Sequence, residues 1–369
     1  MKPAGIALIL ILAGSSPAHA DSFDGLLKQR RDNFDSLLKS AEDEGKEKDK
    51  MMDEVWEQKK REFDRLWEER KKEIEKKWDE ALRSTKKEWV DYSKDDEARS
   101  IVNFEKGYVE IAAVIPADNP DIVKSGAQKI QEQFKKIYSD ANETGKNPLE
   151  GQIAASDSKD FAKKEIVKSV KADREPIIPK DGIKRIVVKV RLELLPDHIS
   201  IRAKQFIPSV SRYSDEIDVP PELIMSIIHT ESYFNPMAQS PAYAFGLMQL
   251  IPRYGARDAH RFLFKEDRIV EPSYLLVPDN NIRMGTAYLY ILLNRTYGNI
   301  TDPLKQTYVS VCAYNWGPTG INNIIKKNNI GSMGHNDLFD LLRQKTPKET
   351  SDYLDRVTKR MEIYKPLFN

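Results

Sequence analysis

The stretch Pro220-Pro-Glu-Leu-Ile-Met-Ser-Ile-Ile-His-Thr-Glu-Ser232 decides how the chain is read. Proline is favourable at the first position of a helix, where its missing N–H would have had no partner. Ile224, Ile227, Ile228 and Glu231 then recur at helical spacing and share one face. A carboxyl that ends an apolar stripe has two readings. On pattern alone it is a solvated group just past the buried part of a helix. Held in an apolar cleft, it is a carboxyl that desolvation keeps protonated, and so a general acid.

The segments that follow are individually weak. Ser240-Pro-Ala-Tyr-Ala-Phe-Gly-Leu-Met-Gln-Leu-Ile-Pro252 places small residues before a short apolar run that carries one amide, Gln249. Asp279-Asn-Asn-Ile-Arg-Met-Gly-Thr-Ala-Tyr-Leu289 reads as a helix entry capped by Asp or Asn, with Gly285 allowing close packing. Cys312-Ala-Tyr-Asn-Trp-Gly-Pro318 sets two aromatics and an amide at a helix end. Each alone is more often core than ligand platform.

Taken in order they are specific. Glu231-Ser232, Gly246-Leu-Met-Gln249, Asn281-Ile282-x-x-Gly285-x-x-Tyr288-Leu289 and Ala313-Tyr-Asn-x-Gly317 resemble the family-1, soluble lytic transglycosylase catalytic domain. The resemblance covers about residues 200–369 and implies a mostly α, goose-lysozyme-like fold. Upstream, Tyr92-Ser-Lys-Asp-Asp-Glu-Ala-Arg-Ser-Ile-Val-Asn-Phe-Glu-Lys-Gly-Tyr108, Pro148-Leu-Glu-Gly-Gln152 and Leu195-Pro-Asp-His-Ile-Ser-Ile-Arg-Ala-Lys204 look like the N-terminal part of the membrane-bound lytic murein transglycosylase C family, extending the likeness to residues 90–369.

That resemblance implies cleavage of the β-1,4 bond between N-acetylmuramic acid and N-acetylglucosamine in peptidoglycan glycan strands, with 1,6-anhydromuramoyl ends as product and cell-wall remodelling as outcome. Glu231 would be the single acid/base carboxylate. Tyr314 would bond near it, Gln249 and Met248 would line the subsites, with Gln249 giving its amide to a carbonyl or N-acetyl group, and Ser240 would offer a hydroxyl near the acetamido group. Asn315 would fix a loop or touch substrate, Glu349 would contact the stem peptide, and Tyr288 would help bind the sugar. No second acid lies between Glu231 and Arg253, which suits a one-carboxylate mechanism better than the usual pair. The bland alternatives are a hydrolase on the same fold, and a wall-bound scaffold with a vestigial enzyme domain.

Residues 93–197 read as a small α+β domain. Arg99–Ile115 is two β-type runs about Glu105-Lys-Gly107, a hairpin signal; 121–139 is helical; Arg185–Leu194 alternates as a strand with one wet face. Residues 21–92, rich in charge and without proline, read as a long coiled-coil-like helix. Trp56, Trp67, Trp78 and Trp89 are each 11 residues apart, which on a helix makes one nearly straight stripe. Such a stripe calls for a partner: a second copy, making a homo-oligomer, or a hairpin turning at Gly45 with Leu26, Leu27, Leu37 and Leu38 on the return helix.

Lys2, the apolar run Ile6–Ala13 and Ala18-His-Ala20 read as a secretory signal cleaved after Ala20, delivering the mature chain to the periplasm. The one cysteine, Cys312, is far from that point, so no lipid anchor is expected there, and neither a disulfide framework nor a thiolate metal site can be built. The five histidines form no ligand pair, so neither metal nor other cofactor is expected. A net charge of +1 gives no reason to invoke nucleic acid.

Overall fold

The computed structural model describes residues 20–139, 147–153 and 169–368, with side chains at 45–138, 147–153 and 169–368. The signal segment and the side chains of Leu26, Leu27, Leu37 and Leu38 lie outside the described residues. The chain divides into two units, residues 1–57 and 58–369. Described by itself, the first is the opening part of one helix, α1 (Ala20–Ile74). This helix runs unbroken through Gly45, so no hairpin turns there. A lone glycine costs a helix only about 1 kcal/mol, too little to force a turn.

In the second unit the expected helix over 21–92 is corrected. α1 ends at Ile74, Trp78 lies in the turn that follows, and Trp89 lies on strand β1 (Glu88–Tyr92). The four tryptophans are therefore not one helix face. The reason is tertiary. Trp78 is 1% exposed, its indole N–H donates to Asp96 O at 2.7 Å, and its ring lies edge-on to Tyr92 and under the Arg99 guanidinium. Burying so large a ring against a sheet outweighs the propensity of a few residues to stay helical.

The sheet contains β1, β2 (Ala98–Asn103), β3 (Tyr108–Pro116), β4 (Lys171–Ala172) and β5 (Arg185–Glu193), in the order β1-β2-β3-β5-β4, every pair antiparallel. The expected hairpin and the strand at 185–194 are present; the domain boundary placed at residue 93 falls too late, because β1 already belongs to the sheet. β3 is apolar from Ile111 to Ile115, where both its faces are covered. Ile111, Ala113 and Ile115 face helix α2 (Ile122–Ser139) with its Ile130, Phe134 and Ile137, while Ala112 and Val114 face Ile74 and Trp78.

The remainder is helical: α3 (His198–Ile217), α4 (Pro221–Ser232), α5 (Gly255–Phe264), α6 (Pro272–Leu275), α7 (Pro278–Tyr290), widened into a π segment over Ile291–Thr296, α8 (Pro303–Trp316), α9 (Pro318–Lys327), α10 (His335–Lys345) and α11 (Lys348–Tyr364). α4 is the central helix. Its Leu223, Ile224, Ile227 and Ile228 are fully buried in one apolar core shared with α3, α7, α8 and α11. The expected cap at 279 is not formed. α7 starts at Pro278, and Asp279 instead accepts bonds from Ser209, Arg212 and Tyr213 at 2.9, 2.6 and 2.5 Å, pinning α7 to α3.

Candidate active site

α4 stops because Tyr233 and Phe234 both adopt left-handed backbone, at φ 52° and 61°. Two such residues in succession cost roughly 1–2 kcal/mol each for non-glycine side chains. Burial of the Phe234 ring, stacked 6.1 Å from Phe206, offsets that cost. The abrupt stop leaves Glu231 on the last turn of a buried helix, only 7% exposed. The solvated reading of this carboxyl is therefore wrong.

Three side chains from three other elements surround it. The Lys86 ammonium, on the segment between α1 and β1, lies 3.2 Å from Glu231 Oε2. Tyr314, on α8, is partly buried and near enough for the Glu231 charge to add to desolvation in raising its phenol well above the usual range. Its hydroxyl donates to Met248 O at 2.8 Å. Tyr353, on α11, is buried too. Desolvation first, the Glu231 charge next and a hydrogen bond toward Glu231 push its pKa up. Both phenols are thus neutral beside an acid.

The turn opposite α4 is held by Asn281, fully buried on α7. Its Nδ2 donates to Phe245 O and Leu275 O at 2.9 and 2.7 Å, and its Oδ1 accepts from Met248 N at 2.7 Å. Gly246 has φ 76°, and a Cβ there would sit 2.2 Å from Leu275 O, so only glycine fits. Ser232 closes the same turn from α4, its hydroxyl reaching Leu247 O at 2.8 Å. The motif residues are thus largely a brace for one loop.

That loop separates two residues that the sequence reading had grouped. Gln249, at φ 48°, lines a cleft of about 400 Å³ together with Tyr288, Tyr314, Asn315, Trp316, Tyr254 and Asp258. Its Nε2 donates to Ala238 O and Gly246 O at 3.2 and 3.0 Å, while its Oε1 is buried without a partner. The atom left to a ligand is an acceptor, where an amide donor had been expected. Met248 does not line this cleft. It is fully buried and packs against Gly285, where an added Cβ would meet its sulfur at 2.2 Å. Gly285→Ala is expected to lower stability by about 1–3 kcal/mol through overpacking, read as a fall in the thermal midpoint; an unchanged midpoint would show that Met248 has room to move.

The other expected residues are placed as follows. Ser240 is nearly buried and its hydroxyl accepts from Ala244 N at 3.1 Å, closing a tight turn. Asn315 borders the cleft, and its Oδ1 accepts from Thr350 Oγ1 at 2.7 Å, tying α8 to α11. Tyr288 forms the cleft floor, its ring 5.4 Å from that of Tyr314. Glu349 is exposed on the first turn of α11 and is not a cleft wall. Glu231 itself is not among the cleft walls; Tyr314, which feels its charge, is.

Two residues near Glu231 were missed. Lys86 gave no signal, being one lysine in a charge-rich stretch read as helix. Tyr353 was visible only as the end of Glu349-Thr350-x-x-Tyr353. Asp258 also faces the cleft, and burial raises its carboxyl above the ordinary range.

A family model described as the transglycosylase SLT domain matches residues 209–333, and one for the N-terminal domain of membrane-bound lytic murein transglycosylase C matches 56–134. The membrane-bound lytic murein transglycosylase C of Cronobacter sakazakii is 30% identical over 305 residues, covering 75% of this chain and 81% of that protein. The chain belongs to this lytic transglycosylase family. The enzyme of the same name from Serratia proteamaculans is 33% identical over 187 residues; the match spans 49% of this chain and about half, 52%, of that protein. A solved structure, the soluble lytic transglycosylase SLT70 of Escherichia coli, aligns at a TM-score of 0.37 and 26% identity over 47% of this chain and 26% of that one.

Family membership makes the chain a peptidoglycan lytic transglycosylase, and it reaches back to residue 56, well before the boundary read at residue 90. The relatives are named membrane-bound, which gives no support to the expected absence of a lipid anchor. Among the described residues no helix is long and apolar enough to cross a membrane.

Proposed function

We propose that the chain cleaves peptidoglycan glycan strands by intramolecular transglycosylation, with Glu231 as the only carboxylate that exchanges protons with substrate. The observation that carries this reading is a buried carboxyl flanked by two neutral phenols, the partly buried Tyr314 and the buried Tyr353.

Glu231, protonated, gives its proton to the glycosidic oxygen as the bond from that oxygen to C1 of N-acetylmuramic acid breaks. N-acetylglucosamine leaves with its hydroxyl restored. The resulting carboxylate takes the proton of the muramoyl C6 hydroxyl, whose oxygen bonds to C1. Atoms balance without water, and Glu231 ends as it began. The same group acts as acid and then base, which a single side chain can do when the nucleophile comes from the same face. Neutral tyrosines suit the site, because they place phenol dipoles beside the reacting carboxyl without adding charge of their own. Gln249 Oε1 supports a sugar by accepting from an acetamido N–H, since a buried acceptor without a partner is costly until something donates to it.

Purified peptidoglycan digested by the protein is expected to give fragments lighter by one water than hydrolysis products, with ends that borohydride does not reduce. Reducing ends of full mass would establish a hydrolase instead. The periplasmic destination and an association of copies through α1 are parts of this proposal that rest on the sequence.

A further inference from the structure

We infer that Lys86 is a positioning residue for Glu231, supplied by the segment that leads into the sheet domain. The inference rests on the reading of Glu231 as acid/base.

The contact is built rather than incidental. The backbone of the Lys86 segment is fastened to the loop that follows Glu231. Asn235, fully buried, donates from Nδ2 to Thr85 O and Lys86 O at 3.4 and 3.3 Å, and Gln239 N donates to Thr85 O at 3.4 Å. Just before it, Arg83 lies over the rings of Phe63 and Trp67 at 4.5 and 5.4 Å and reaches Gln239 Oε1 at 3.5 Å. These fastenings leave the Lys86 side chain little choice but to run toward the end of α4. Lysine is suited to this place. Its ammonium is a compact point charge on a flexible stem, and being 41% exposed it can swing away when a glycan enters.

The other groups facing Glu231 do not share the task. Tyr314 from α8 and Tyr353 from α11 are neutral, and Arg356, also on α11, acts on Tyr353. On α4 itself His229 is turned to the Tyr364 hydroxyl at 2.8 Å, and Thr230 accepts from Arg360. Asn235 and Gln249 carry no charge. Lys86 is the cation that pairs with Glu231 among the described residues.

A carboxyl that gives one proton and takes another must present its oxygens to two substrate atoms in turn, and a misplacement of about 1 Å can cost roughly a hundredfold in rate. The Lys86 ammonium, 3.2 Å from Oε2, fixes where that oxygen points at the end of α4.

The test uses the full chain on purified peptidoglycan, with K86M and K86R compared to the parent. In K86M kcat is expected to fall about tenfold with KM within about twofold of the parent, and in K86R kcat is expected to return. The thermal midpoints should match, because the side chain is partly exposed. An unchanged kcat in K86M, a change confined to KM, or a K86R variant as slow as K86M overturns the inference. The masses of the products in the same digests keep the two readings apart. Water-free ends with an unchanged kcat in K86M sink only the role of Lys86, whereas full-mass reducing ends sink the reading of the reaction beneath it.

Discussion

Glu231→Gln is expected to reduce turnover of peptidoglycan at least about a thousandfold while leaving the fold intact. Glutamine matches the carboxyl in size but can neither give the first proton nor take the second. Both half-reactions fail together, so no substrate with a better leaving group restores full activity. Stability should hardly change. The partner it loses is a lysine ammonium 41% exposed at 3.2 Å, and pairs of that kind contribute little, about 1 kcal/mol or less. The packing around it, Ile227 and Ile228 below and the Tyr314 and Tyr353 rings beside, is unaffected by an isosteric change. The measurement is release of soluble muropeptides with the thermal midpoint followed in parallel. Lysis at the parental rate by a folded variant would move the chemistry to another group, and Asp258, whose carboxyl burial already raises, would be the next to test.

The sequence made some of this legible because the relevant patterns are local. Ile224, Ile227 and Ile228 repeat at helical spacing, and one helix carries them. The hairpin about Gly107 has alternating runs on each side, and its register follows from the turn. What failed was pattern continued past the element that made it. The 11-residue spacing of tryptophan persists in the sequence after Ile74, but the helix does not, since Trp78 and Trp89 find a sheet to pack on. Periodicity cannot see a partner surface formed by residues 98–193. Met248 and Gln249 failed for a different reason. Adjacent residues on a loop with a left-handed backbone point to opposite sides, so one enters the core and the other the cleft. The charge that touches Glu231 arrives from 145 residues away and is a surface-type residue at its own position. No local signal distinguishes that lysine from its neighbours.

What holds the sheet domain in register with the catalytic domain, and so keeps Lys86 within reach of Glu231, is Arg202. It lies on α3, is fully buried, and donates to groups from both sides. Phe104 O at 2.7 Å and the Gln152 amide oxygen belong to the sheet domain, Tyr233 O at 3.3 Å to the end of α4. His198 Nδ1 lies 3.1 Å from the same guanidinium. Among the described residues no carboxylate is paired with it, and burial lowers its pKa. A buried charge usually argues little for stability, because its desolvation cancels much of what it gains. Here the balance is different on removal. Arg202→Met keeps most of the stem but deletes every donor, leaving three buried oxygens without partners at roughly 1–3 kcal/mol each. Relief of the desolvated charge returns part of that, so the expected loss is about 3 kcal/mol. For a unit of this size the thermal midpoint should fall by roughly 4–5 °C. Lysine should not rescue, since one ammonium cannot span three acceptors that the planar fork reaches together. The variant is also expected to lose peptidoglycan turnover well below its own midpoint, because the segment carrying Lys86 depends on the sheet domain staying where Arg202 holds it. A midpoint within 2 °C of the parent (about 1 kcal/mol or less) would mean that water or repacking satisfies those oxygens, and that the domains are held by their apolar contacts alone.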